Sequence, residues 1–594
     1  MDGDRPVRPS TESGAMSPPT HSENGSPPDE EVYASDTDGQ RYRTTAFIPS
    51  PYDELEVAPA SVEYPDRGRD EGRYRILDLP KAPKLRHVVG PSAIMLGASL
   101  GSGESLFWPY IIAQNGWALY WAFVVGVITQ YFVNTEIQRW TLATGESVFR
   151  AFERVSERWT WAFLVGGFIS LGWPGWAASA AQVGAVGLGI GEGVVSVAGV
   201  TVPVWKIIAI SLLLLIWLSY HLSSVMYRAV ETAQTAMVVV AVVLALLLVA
   251  VVGSYTEFVN VPRGAVSIGT LPEHMDLAVF LGALAYAGAG GYLNLSQSLW
   301  VREKGYAMSI FQGRIRNPLL GDEPEPVHRD GFAFPPTRIN LERWKAWWRL
   351  AQLEHLVTFA LGLFVVATAM MTVSAAYAPG TTAGAVAMWL QEIVPLLGDG
   401  ARILVYLVLF VALFTTEYAI VESFVRNSSD ILFELVGRDR GWSLPQIFWW
   451  LLTAFIAWGI VIIAMPFNHP FGLLVRSAAM SGIMMWPYIA LTLVINTNRL
   501  PEHLTPGWAR VVIMWWATAF FGFFSTLLIG DTLVRIGLST FQVGLEGATI
   551  GVGGALLWAG FGLAQVATMV FSIRGKRGTA GTVPGAESVQ SLFR

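Results

Sequence analysis

From residue 88 onward the chain alternates long apolar runs with short polar connectors. Twelve runs approach the roughly 20 mostly apolar residues that a bilayer-spanning helix needs. They cover residues 88–113, 117–140, 161–188, 204–222, 236–252, 277–300, 356–374, 403–424, 447–465, 471–495, 511–529 and 550–571. The pattern predicts an all-α polytopic membrane protein of about twelve spans. The third run is interrupted by GWPGW, where Pro174 predicts a kink. Two other runs are interrupted at their centres. The first carries LGASLGSGESLFWP, with Glu104 among Gly97, Gly101 and Gly103; the sixth carries LAYAGAGGYLNLSQS, with Gly288, Gly290 and Gly291.

Basic residues sort the connectors into two sets, as the positive-inside rule requires. With the N-terminus inside, the inside segments hold Lys81, Lys84 and Arg86, then Arg150, Arg154 and Arg158, the basic loop 302–352, and Arg574, Lys576 and Arg577. The outside segments hold Lys206, Arg263, Arg402 and Arg535. The expectation is an integral protein of the cell membrane with both termini cytoplasmic. In the loop 302–352, RWKAWWRL suits a helix lying at the membrane interface, either as a regulatory surface or as an anchor for the next span.

Charge and composition refine this picture. The net charge of −6 comes from the first 75 residues, which hold 16 acidic and 8 basic side chains; the remainder is +2. That acidic, Ser- and Pro-rich tail lacks an apolar run and reads as disordered. No secretory signal is visible in it. The domain reading is a tail over 1–75, a transmembrane unit over 76–572 and a cytoplasmic tail over 573–594. The chain has no cysteine, so disulfides and thiolate metal sites are excluded. Its 8 His show no zinc-type spacing, no nucleophile–base constellation marks an enzyme, and no cofactor is implied. Basic residues are placed as topology signals, which argues against nucleic acid as a partner.

A carboxylate in mid-bilayer costs several kcal/mol unless it is paired, protonated or hydrated. Glycine weakens a helix by about 1 kcal/mol per residue relative to Ala, so GSGE invites unwinding, as does GAGGY. Five spans separate the two interruptions, as in a five-plus-five inverted repeat: repeat one over 88–252, repeat two over 277–495, then two further helices over 511–571. Paired, glycine-interrupted spans are the sequence mark of a secondary-transporter site. Close helix packing through small residues is the competing account of the same glycines.

Over residues 88–530 the text resembles the Nramp family of divalent-metal transporters, which have a LeuT-type fold. The resemblance rests on GPSAIMLGASLGSGESLFW in the first span, QRWTLATGESVF after the second, SQSLWVR ending the sixth and MMWPYIALTLVINTNR in the tenth. It implies a LeuT-type fold with broken helices 1 and 6, alternating access, and a metal site at both breaks. Carried over residue by residue, the family's ligating Asp falls on Gly101 and its Asn on Glu104. Its Met-Pro-His falls on Gly288, Ala289 and Gly290, and its carbonyl ligands on Ala98 and Ala285. The Asp, the thioether and the His are therefore absent, and span three contains no acid. Without a thioether the site becomes all-oxygen and harder. Glu104 with the hydroxyl of Ser99 or Ser102 and backbone carbonyls suits Mg²⁺, Mn²⁺, a monovalent cation or an organic ammonium, with Gly288 giving room for retained water. Glu104 is then both charged ligand and proton acceptor, and protons or Na⁺ are the candidate coupling ions.

In span eight, Thr415, Thr416 and Glu417 predict a second ion or coupling site, while Glu422 reads as solvated near the inner surface. Glu136, Gln138, Glu231, Glu354 and His355 read as interfacial, Arg476 as snorkelling outward. Asn294 either lines the cavity or makes an interhelical hydrogen bond. The leading expectation is a secondary transporter of a cation, most simply a divalent metal. A carrier of a small organic solute, with GAGGY holding its carboxylate, and a non-transporting sensor or scaffold are the alternatives.

Overall fold

The apolar runs form helices because a bilayer leaves no water for backbone N–H and C=O groups, so the chain must satisfy them internally. The computed structural model describes residues 33–35, 41–43, 58–63, 73–537, 542–544, 547–549 and 552–577, apart from 192, 198, 273–275, 289, 320–324, 326, 335–337 and 467–469. Most of the acidic tail, residues 578–594 of the C-terminal tail, and Ala289 lie outside the described residues.

Among the described residues, ten helices are long and apolar enough to cross a membrane. One of them, Pro91–Thr144, has 54 residues and is interrupted by the turn Gly116–Leu119, so it carries spans one and two. Span three is split at Pro174 into Glu157–Leu171 and Gly175–Gly187, each too short to cross alone. Counted this way, the described residues hold twelve spans. The others are Val204–Ser219, Met226–Val252, Leu277–Tyr286 with Ser296–Lys304, Leu361–Tyr377, Asp399–Leu432, Leu444–Ala464, Pro470–Asn498, Trp508–Arg535 and Val552–Arg577.

Span seven departs from expectation. RWKAWWRL is not a separate surface helix: Arg338–Glu354 runs through a π-helical stretch, His355–Ala360, into Leu361–Tyr377. The reason is a binding surface invisible in the sequence pattern. Trp344 and Trp347, three residues apart on one face, are buried. The Trp347 indole donates to the Pro80 carbonyl at 2.8 Å, and Arg343 donates to the Leu79 carbonyl at 2.8 Å. Just upstream, strand Arg73–Ile76 pairs in parallel with Phe332–Ala333, with Arg75 opposite Phe332. The segment leading into span one is thereby fastened to the loop 302–352.

Spans one and six meet at the centre of the bundle, and both depart there from regular α-helix. In span six the helix stops at Tyr286 and resumes as a 3₁₀ turn, Gly291–Leu295. Gly288 and Gly290 have φ of +137° and +102°, which side-chain-bearing residues rarely adopt. Span one behaves differently. Pro91–Ser99 passes into eight residues of π-helix, Leu100–Phe107, and then into Trp108–Asn115. The expected unwinding is instead a widening of the helix. Its cause lies in span eight. The Thr416 hydroxyl accepts from Gly101 N–H at 2.9 Å and donates to the Gly97 carbonyl at 3.0 Å. In an α-helix those two backbone groups would bond to each other. Thr416 stands between them, and a side chain inserted into the ladder is a known source of such irregularity. Gly101 permits the approach, since a Cβ there would run into the Ala412 carbonyl.

Candidate ion site

Glu104 sits in the π-helical stretch of span one and is fully buried. Neither of its carboxylate oxygens has a hydrogen-bond partner in the protein. The neighbouring hydroxyls are turned to the helix itself: Ser99 donates to the Leu96 carbonyl at 3.1 Å and Ser102 to the Ser99 carbonyl at 3.4 Å. Their lone pairs stay free to accept or to coordinate. A buried, unpaired carboxylate is costly unless a positive charge neutralises it, and a proton or a bound cation does so.

The predicted residues on span six are placed less simply. Gln130, from span two, donates to the carbonyls of Leu284 and Ala285 at 2.7 and 2.9 Å. The Ala285 carbonyl, expected as a ligand, is thus occupied. Asn294 makes the interhelical bonds of the simpler account, donating to Gln130 at 3.0 Å and to the Tyr488 hydroxyl at 2.8 Å. Tyr488 in turn donates to the Gly291 carbonyl at 3.0 Å. The room expected at Gly288 is filled, because a Cβ there would meet the Gln130 side chain at 2.8 Å. Gly103, beside Glu104, lies against the Tyr286 backbone, so close packing accounts for that glycine. Ala98 is buried in the last turn before the π stretch.

Two residues beside these breaks were missed in the sequence. Asn134 Nδ2 lies 3.3 Å from Met95 Sδ and 3.5 Å from the Gly288 carbonyl, and its Oδ1 is buried without a partner. Gln130 and Asn134 stand four apart in the apolar run of span two, on one helix face. Polar side chains at that spacing inside a membrane helix are the signal that identifies them.

Thr415, Thr416 and Glu417 do not converge, since consecutive helix positions point about 100° apart. Thr415 bonds to Gln234 of span five. Thr416 serves span one, as above. Glu417 accepts from Ala177 N–H at 3.0 Å, at the N-terminus of Gly175–Gly187, where a helix favours a negative charge. Thr416→Val keeps the shape but removes both bridging bonds. It is expected to cost about 1 kcal/mol of stability and to return span one toward regular α-helix, read by thermal unfolding in detergent and by amide exchange at Gly101.

The end of the bundle rich in arginine is closed by ion pairs. Glu422 is buried, not solvated, because it pairs with Arg426 and accepts from Tyr220 at 2.7 Å. Arg426 also reaches Glu303 at 2.9 Å, and Arg302 pairs with Asp430 at 2.7 Å. Spans six and eight are thus cross-linked by charge at their basic ends. Glu136, read as interfacial, is likewise buried, between Arg139 at 2.8 Å and Arg510 at 2.9 Å. Arg476 is exposed, in keeping with snorkelling.

Among the described residues, twelve spans with an irregular first helix and an interrupted sixth make up a LeuT-type fold. Solved structures bear this out. The chain resembles a manganese transporter from Eremococcus coleocola, in a point-mutant form, with a TM-score of 0.57 at 11% identity, covering 84% of this chain and 97% of that one. The same transporter bound to an aromatic bis-isothiourea substituted compound gives 0.56 at 12% identity, with the same coverage. At such identity the likeness is one of fold. No protein-family model matches the chain, and no curated protein matches it. Among the described residues no cluster of three or more His, Asp or Glu could hold a metal ion.

Proposed function

We propose that the chain is a secondary transporter that moves a cation by alternating access, with Glu104 as charged ligand and proton acceptor. The observation that carries this reading is the buried carboxylate without a partner in the π-helical stretch of span one. Its donor set is oxygen-rich, which suits Mn²⁺ or Mg²⁺ carried with part of its water. The fold shared with a manganese transporter supports the choice of a divalent metal. The basic end of the bundle is the cytoplasmic end in this reading. A small organic solute fits less well. The glycine-rich break that would receive it is filled by Gln130 against Gly288 and by Leu293 and Tyr286 against Gly290.

The test is reconstitution in liposomes with an internal pH dye and external Mn²⁺, Mg²⁺ or Ca²⁺. Saturable uptake of Mn²⁺ or Mg²⁺, with a proton signal from the dye, is the expected result. Well-folded protein that takes up none of these ions would overturn the metal reading and turn the search to organic solutes.

A further inference from the structure

The sequence suggested that Glu354 and His355 are interfacial. Both are instead fully buried, at the join between Arg338–Glu354 and the π stretch that begins span seven. They face the first turn of Pro91–Ser99, the basic-end half of span one. Ser92 is the hub. Its N–H donates to Glu354 Oε1 at 3.3 Å and its hydroxyl donates to Glu354 Oε2. His355 Nδ1 lies 2.9 Å from Ser92 Oγ, and Gln297 Nε2, from span six, lies 3.5 Å from the same oxygen.

With Glu354 ionised, and accepting also from the Gly90 N–H, these contacts set the directions of the hydrogen bonds at Ser92 Oγ. A hydroxyl has one hydrogen and two lone pairs. Gln297 Nε2 only donates. With the Ser92 hydrogen given to Glu354, His355 must also donate, through Nδ1–H. Both lone pairs of Ser92 Oγ are then taken. The other ring nitrogen, Nε2, is buried without a partner, and the ring stacks between Phe359 and Tyr131 at centroid distances of 4.4 and 5.7 Å. An imidazolium there would leave a buried N–H unsatisfied, so an arriving proton goes to Glu354. A protonated Glu354 finds no acceptor on Ser92, whose lone pairs are full. It also loses the charge that favours the N-terminus of span one.

We propose that Ser92, Glu354 and His355 form a proton-binding site that fastens the basic-end half of span one to span seven and releases it on protonation. His355 is a positioning residue: by filling a lone pair of Ser92 it makes the network intolerant of the extra proton. The other charged and titratable groups facing the site are Lys304, which is paired with Glu231 at 2.5 Å, and the hydroxyls of Tyr227, Tyr306 and Tyr131. The inference concerns the scaffold and stands whether or not Glu104 binds a metal.

The chain contains no cysteine, so spin labels can be placed without background. Labels at Arg86→Cys and Ala346→Cys, both exposed, report the distance between the start of span one and the helix leading into span seven. In lipid nanodiscs the wild-type distance distribution is expected to be short and narrow at about pH 8 and to gain a longer component at about pH 5. Glu354→Gln should show the longer component at both pH values. His355→Phe frees a lone pair on Ser92 for the protonated carboxyl and should keep the short distance at about pH 5, an outcome a purely structural role does not give. Glu231→Gln should titrate like wild type. A wild-type distribution that does not change with pH would overturn the proposal. So would loss of the response in Glu231→Gln, which would assign the proton to that residue. If Glu354→Gln fails to fold, the wild-type and His355→Phe titrations decide.

Discussion

Glu104→Gln is expected to abolish cation uptake in proteoliposomes while leaving the protein folded. The substitution keeps the size and shape of the side chain and removes only its charge. In a site shielded from water, loss of one member of a charge pair costs about 2–5 kcal/mol. At about 3 kcal/mol that is already more than a hundredfold in affinity. A second readout separates binding from turnover. A ligand present at about 100 times its Kd stabilises the folded state by roughly 2.7 kcal/mol. The thermal midpoint of the wild type should therefore rise on adding Mn²⁺, and that of Glu104→Gln should not. Because the carboxylate has no partner in the protein, the variant without ions should be no less stable than the wild type. Full uptake by Glu104→Gln would remove this residue from the site.

Arg426→Met is expected to produce the largest loss of stability. Arg426 is fully buried and faces both Glu303 and Glu422, themselves buried, with the rings of Phe448 and Tyr227 at 5.3 and 5.9 Å. Removing it leaves two carboxylates without their cation. Breaking a buried ion pair from one side costs about 3–5 kcal/mol, and here two carboxylates are stranded. Thermal unfolding in detergent measures the loss. The combination of Arg426→Met with Glu303→Gln and Glu422→Gln removes the stranded charges along with the cation, and should recover most of the stability. If the triple variant is no better than the single one, packing and not charge is what Arg426 provides.

The broad architecture was legible because hydrophobic length and charge placement act over many residues at once. The twelve runs, the kink at Pro174 and the interruption at Gly288–Gly291 stand in the structure, while the irregularity at Glu104 is a widened helix and not a break. What could not be read were partners. Glycines near Glu104 looked like an unwinding signal. In the fold, Gly101 and Gly103 admit the backbones of spans eight and six, and the widening of span one comes from a hydroxyl 315 positions away in sequence. The carbonyls freed at span six were expected to serve an ion. Gln130 and Tyr488, distant in sequence, hold some of them instead. Glu136 and Glu354 looked interfacial and Glu422 solvated because each stands near the end of an apolar run. Burial at such positions depends on what the connecting segments cover, and the loop 302–352 covers a great deal.

The Thr416 hydroxyl also sets a phase. A π turn takes up one more residue than an α turn, so every side chain beyond it is advanced around the axis by about 100°. Glu104 lies within the widened stretch, and its azimuth therefore depends on a contact made by a different helix. If span eight slides so that Thr416 withdraws, Gly101 N–H meets the Gly97 carbonyl again, the helix narrows, and Glu104 turns about the axis by part of the roughly 100° that one residue spans. A small translation between two helices would thus be converted into a rotation of the charged ligand, with no hinge and no unwinding.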